Sequence, residues 1–117
     1  MQVPVQIVFR EITPSVTAEM EIRKRIDKLE RFCHDIVSCR VTVGLESKHK
    51  NNGNLFKVRV DVSVPGDVIV ADNHPLNEDV YVAIRDAFDA MIPQLEKFVQ
   101  RRRGEVKSHN TAPKDLQ

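Results

Sequence analysis

The sequence predicts an α+β domain: a two-layer β-α-β-β-β-α sandwich, with a four-stranded mixed sheet and both helices on one face. Two observations predict it. Four stretches alternate apolar and polar residues with period two, the pattern of strands that bury one face. Two others repeat apolar residues at steps of three and four, the pattern of amphipathic helices. Because each strand has a single apolar face, both helices must cover the same side and leave the other side polar and open.

The chain has 117 residues, the size of one domain with one core. Hydrophobic residues make up 41% and charged residues 30%, a globular balance. The expected division is a folded domain over 1–106 and a disordered tail over 107–117. No apolar run approaches the roughly 20 residues of a membrane helix. Met1 to Arg10 lacks the apolar block of a signal peptide. The expected location is therefore cytoplasmic.

Val3 to Arg10 alternates, with Val3, Val5, Ile7 and Phe9 on one side and Gln6 and Arg10 on the other. Pro4 suits an edge strand. Thr13 and Pro14 read as a helix start, a capping hydroxyl followed by proline at the first helical position. The helix should run to about Phe32 on a stripe of Ile22, Ile26, Leu29 and Cys33. Lys24, Lys28 and Arg31 fall on its opposite face, with Arg25 beside them. Glu21 precedes Arg25 by four, and Asp27 precedes Arg31 by four, the spacing of helical ion pairs.

Ile36 to Lys48 reads as a long strand, with Val37, Cys39, Val41, Val43 and Leu45 inward and Arg40, Thr42 and Glu46 outward. A polar turn from Lys48 to Asn54 has a basic tip. Leu55 to Val64 returns, with alternate residues Phe56 to Val64 inward and Lys57, Arg59, Asp61 and Ser63 outward. Val64-Pro65-Gly66-Asp67 reads as a type II turn, Val68 to Asp72 as the last strand, and Asn73 to Leu76 as a loop.

Asn77 to Arg103 forms the long helix around Val80, Ile84, Ala87, Met91, Leu95 and Phe98. Asn77 is the expected cap, with Glu78 and Asp79 suiting the helix dipole. At 1.5 Å per residue it should span about 40 Å, about twice a strand's length, so its end overhangs the sheet. Pro93 lies opposite the apolar stripe and predicts a bend without a break. The crossover through the first helix should make the first two strands parallel, with the next three antiparallel in sequence.

Catalytic machinery is not legible. No glycine-rich phosphate loop, serine elbow or histidine–metal motif occurs. His34, His49, His74 and His109 are scattered. Cys33 and Cys39 lack zinc-site spacing and read as reduced, at least partly buried thiols. No enzyme activity, metal, cofactor or small-molecule substrate is expected. A single-strand RNA platform also fits poorly: aromatic residues are 5%, and Phe9 and Phe56 fall on the apolar side.

Charge placement is more informative than the net charge of +1. Lys24, Lys28 and Arg31 line the first helix. Lys97, Arg101, Arg102, Arg103 and Lys107 crowd the end of the second. Lys48 and Lys50 flank His49 at the hairpin tip. With the helices side by side, the two helical groups would join into one surface that reads phosphates by shape and charge. That layout is similar to double-stranded RNA-binding domains, which lack the first strand.

Three blocks carry a family resemblance: Lys28-Leu29-Glu30-Arg31-Phe32, the strand Val41-Thr42-Val43, and the stretch from Glu78 to Ala87, in which Glu78-Asp79-Val80-Tyr81 precedes Ala83-Ile84. Their order and spacing, from about residue 2 to residue 109, resemble the ribosome hibernation-promoting factor and ribosome-associated inhibitor family, also called the sigma-54 modulation protein family. The resemblance implies the same fold and no catalysis. It implies binding to the 16S rRNA of the small ribosomal subunit in the mRNA–tRNA channel and translation inhibition under stress, with ribosome pairing promoted by some members; off the ribosome a monomer is expected. Lys28, Arg31, Lys97 and Arg101 to Arg103 match its phosphate-contacting positions; Lys48 and Lys50 match less closely, because the turn looks longer. Two other readings are a generic double-stranded RNA-binding module and a protein-interaction regulator such as a sigma-factor modulator. The latter would use the open sheet face, which reads as a solvated surface.

Overall fold

The computed structural model describes residues 3–46 and 54–111, with side chains through residue 104. The elements are β1 (Val5–Arg10), α1 (Val16–Phe32), β2 (Ser38–Glu46), β3 (Leu55–Val64), β4 (Asp67–Asp72) and α2 (Val80–Thr111). The sheet order is β1-β2-β3-β4. β1 pairs parallel with β2, and β2–β3 and β3–β4 pair antiparallel. This is the expected two-layer β-α-β-β-β-α arrangement, with β1 and its neighbouring Pro4 at an edge.

Register follows from the alternation. Val41 faces Val60, Val43 faces Val58 and Cys39 faces Val62 across β2–β3, while Ile69 and Ala71 continue the rows on β4. All of these are buried. Ile22, Ile26 and Leu29 of α1 and Ile84, Ala87, Met91 and Leu95 of α2 close over them in one core. Burial of such apolar side chains is worth roughly 1.5–3 kcal/mol each and is what holds the layers together. The turn between β3 and β4 has Gly66 at φ 81°, the left-handed value a type II turn requires at its third position.

Four local readings are corrected. Ser15, not Thr13, caps α1: its hydroxyl accepts from Ala18 N at 3.2 Å and its carbonyl from Glu19 N at 3.0 Å. Asp79, not Asn77, caps α2, accepting from Tyr81 N at 2.8 Å through its carboxylate and from Ala83 N at 3.0 Å through its carbonyl. Asn77 is occupied otherwise, because its carbonyl accepts from Phe56 N at 2.7 Å and so extends the sheet. Val37 does not face inward. It is 54% exposed, whereas Ile36 is buried, because the strand begins only at Ser38. Finally, Arg25 pairs with Glu21 at 2.8 Å, but among the described residues no ion pair joins Asp27 to Arg31. Exposed pairs gain too little to fix two long side chains dependably.

α2 continues through Pro93 without a break. Pro93 is exposed, so its ring displaces no core contact.

Candidate nucleic-acid interface

The two helices lie side by side and run in the same direction. Near their N-termini the Thr17 and Tyr81 hydroxyls are 2.6 Å apart. Near their C-termini Arg102 reaches Asp35, just beyond α1, at 3.6 Å. Both basic groups therefore stand at one end of the helical layer.

Lys28 and Arg31 on α1 and Lys97, Arg101, Arg102 and Arg103 on α2 are exposed. Among the described residues, Lys28, Arg31, Lys97, Arg101 and Arg103 have no ion-pair partner. Lys24 is different: it sits 3.6 Å from Glu21, which Arg25 also holds. The hydrogen bond from Arg25, with Lys24 assisting, keeps the Glu21 carboxyl below its ordinary range against the opposing effect of burial. Lys24 is thus partly compensated within its own helix. Lys107 lies on α2. Lys48 and Lys50 lie outside the described residues, as does the hairpin tip.

The three consecutive arginines do not share a face. At about 100° per residue they must fan around α2. About six turns separate Arg103 from Tyr81, which puts Arg103 on the flank facing α1. Arg101 and Arg102 border a cleft with Pro65, Gly66, Asp67 and Phe98, and Arg102 also reaches Asp35 beyond α1. The Arg102 guanidinium is 5.6 Å from the centroid of the Phe98 ring, a cation–π contact that orients it. The basic end is therefore a curved surface with Lys28, Arg31 and Arg103 on the α1 side and Arg101 on the far side. Such a surface has the shape and charge to meet several phosphates at different heights.

Arg23 and Arg85 also lie on the helical layer; the sequence reading did not single them out. Arg23 pairs with Glu19 at 3.3 Å and Arg85 with Asp86 at 3.1 Å. The spacing Glu19–Arg23 was legible as a helical pair.

Other chemistry is sparse. His34 and His74 are exposed. Among the described residues no three His, Cys, Asp or Glu side chains gather into a metal-binding group. Cys33 and Cys39 are buried and free. Burial raises both thiols, and Cys39 is pushed up to about 12, with Asp61 and Glu30 adding to the effect. Neither is a reactive thiolate at neutral pH. Among the described residues no helix is long and apolar enough to cross a membrane.

The fold matches known structures. A ribosomal subunit interface protein from Coxiella burnetii superposes with a TM-score of 0.72 at 15% identity, covering 84% of this chain and 99% of that one. The N-terminal domain of Protein Y from Thermus thermophilus superposes with a TM-score of 0.62 at 18% identity, again over 84% and 99%. In sequence, a ribosome hibernation promotion factor of Deinococcus radiodurans is 34% identical over 80 residues, 68% of this chain. The matched segment is 40% of that relative's length. The family model described as sigma 54 modulation protein / S30EA ribosomal protein matches residues 5–103. Spanning nearly every element described above, that match shows that the chain belongs to the sigma 54 modulation protein / S30EA ribosomal protein family.

Proposed function

We propose that this chain is a ribosome hibernation factor that inhibits translation by occupancy rather than catalysis. It binds the small subunit in the mRNA–tRNA channel, and Lys28, Arg31, Lys97, Arg101, Arg102 and Arg103 contact 16S rRNA phosphates. Lys24 and Lys107 extend that surface, whereas Lys48 and Lys50, between Glu46 and Leu55 at the other end of the sheet, would make separate contacts. It acts in the cytoplasm and is monomeric off the ribosome. The observation that carries the reading is the parallel packing of the helices, tied at Thr17–Tyr81 and at Asp35–Arg102. It collects exposed cations of both helices at one end. The similarity to a ribosome hibernation promotion factor supports the ribosome as the target.

Each contact positions the protein on a phosphate, so the loss on mutation is distributed. Replacing Arg101, Arg102 and Arg103 by glutamine should weaken co-sedimentation with small subunits. It should also flatten the dependence of log affinity on log salt by about one unit per lost phosphate contact. Equal co-sedimentation of variant and parent at two salt concentrations would remove this surface from the reading. A parent that never co-sediments would favour a generic duplex-RNA module.

A further inference from the structure

On the open face of the sheet, Gly44 lies in the interior of β2, where glycine weakens a strand. Neither backbone geometry nor crowding requires it. Among the described residues Gly66 is the glycine with positive φ, and a Cβ placed on Gly44 would meet nothing within 4 Å. What glycine provides here is empty space.

Cations flank that space. Arg10 of β1 is in register with Gly44, and Gly44 is in register with Lys57 of β3. All three lie in one row across adjacent strands. Two interstrand steps separate the Arg10 and Lys57 backbones by about 10 Å. Their long side chains can therefore converge above the glycine. Arg40, on the same strand and face, borders the same cleft, which encloses about 420 Å³. Among the described residues Arg10, Arg40 and Lys57 have no ion-pair partner, whereas Arg59 is held by Asp61 at 3.1 Å. Carboxylates of Glu11, Glu46 and Asp61 stand around the cleft. They oppose a continuous polyanion and leave room for one compact anionic group. Glu11 also has a left-handed φ of 63°, an uncommon conformation for a residue with a side chain, at the rim of this cleft.

We propose that the notch over Gly44 is a phosphate-binding site formed by Arg10, Lys57 and Arg40, separate from the helical surface. The phosphate is that of a mononucleotide or the terminal phosphate of an RNA chain; both present the same group. The site does not depend on the ribosomal reading, because it uses the opposite face of the molecule.

The decisive variant is Gly44→Val. It retains every charge, suits a strand, and fills the space between Arg10 and Lys57. Inorganic phosphate, AMP and a short unstructured RNA with or without a 5′-phosphate would each be titrated while backbone amide signals are followed by NMR. Saturable shifts at Gly44, Arg10 and Lys57 are expected, with the apparent Kd raised at least tenfold in Gly44→Val at undiminished Tm. Tighter binding of AMP than of phosphate assigns a mononucleotide. Binding of RNA that depends on its 5′-phosphate assigns the chain end. If Gly44→Val loses its fold, the exposed pair Arg10→Gln and Lys57→Gln gives the same test. Unchanged affinity in these variants, or shifts confined to the helical cations, overturns the site. Co-sedimentation with small subunits should be preserved in all of them, which separates this outcome from the fate of the proposed function.

Discussion

Asn73 is the buried polar side chain on which the connection from the sheet to α2 depends. Its carbonyl oxygen accepts from Val58 N at 2.8 Å and its amide donates to Phe56 O at 3.0 Å. It thus supplies β3 with partners just where β4 ends at Asp72. Asn73→Ala leaves the buried Val58 N–H unpaired, while Phe56 O keeps the Asn77 N–H at 3.5 Å, and should cost about 1–3 kcal/mol, read by urea unfolding. The sequence offered only a polar residue in a loop, because its partners are backbone groups 15 and 17 positions earlier. Cys39 is the opposite case, legible as a buried thiol from the alternation of β2. Burial raises its pKa to about 12, whereas an unfolded thiol titrates near about 8.5. The folded state therefore holds this proton more tightly. That contribution is complete below about pH 8.5 and is lost as pH rises toward 12. In Cys39→Ala the fall of stability across that alkaline window should be shallower than in the parent, whatever the offset between them at pH 7. Chemical denaturation at several pH values measures it, and equal slopes would refute it.

At the level of elements, periodicity was the dependable signal and boundaries were not. Ile22, Ile26 and Leu29, and Ile84, Met91 and Leu95, are all fully buried as their spacing requires. The caps were misplaced for a physical reason. Asn77 and Asp79 are equally good N-cap residues by type, and the choice is made by a tertiary contact, the bridge from Asn77 to Phe56. Thr13 and Ser15 present the same ambiguity. Pro93 illustrates what α2 tolerates. It lacks the N–H that would bond the carbonyl four residues earlier, yet the helix is continuous and its ring is exposed. Pro93→Ala restores that bond without disturbing the core. It should stabilise the protein by up to about 3 kcal/mol, the difference in helix propensity, seen as a higher Tm. A lower Tm would mean that a proline-induced bend is needed to fit α2 to the sheet.

For the whole molecule, chain direction explains why the cations meet. β1 and β2 run parallel, β3 reverses and β4 reverses again, so β1 and β4 point the same way. Each of these two strands leads into a helix that returns across the same face. The helices must therefore run in the same direction and end at the same edge. The sequence contains this consequence in its element order, but not which flank each arginine takes, since that depends on how the helices are rotated. Asp35 stands against this basic end, 3.6 Å from Arg102, with both side chains about half exposed at 47% and 45%. An ion pair that exposed contributes at most about 1 kcal/mol to stability. Its larger effect is to neutralise one cation of the proposed rRNA surface and to add a negative charge where phosphates would approach. Asp35→Asn should leave the unfolding midpoint nearly unchanged while tightening co-sedimentation with small subunits and steepening its salt dependence. Arg102→Gln should do the reverse for binding. If Asp35→Asn weakens binding as Arg102→Gln does, the pair holds Arg102 in place for its contact. Tighter binding by Asp35→Asn identifies the carboxylate as a brake on a surface built for phosphate.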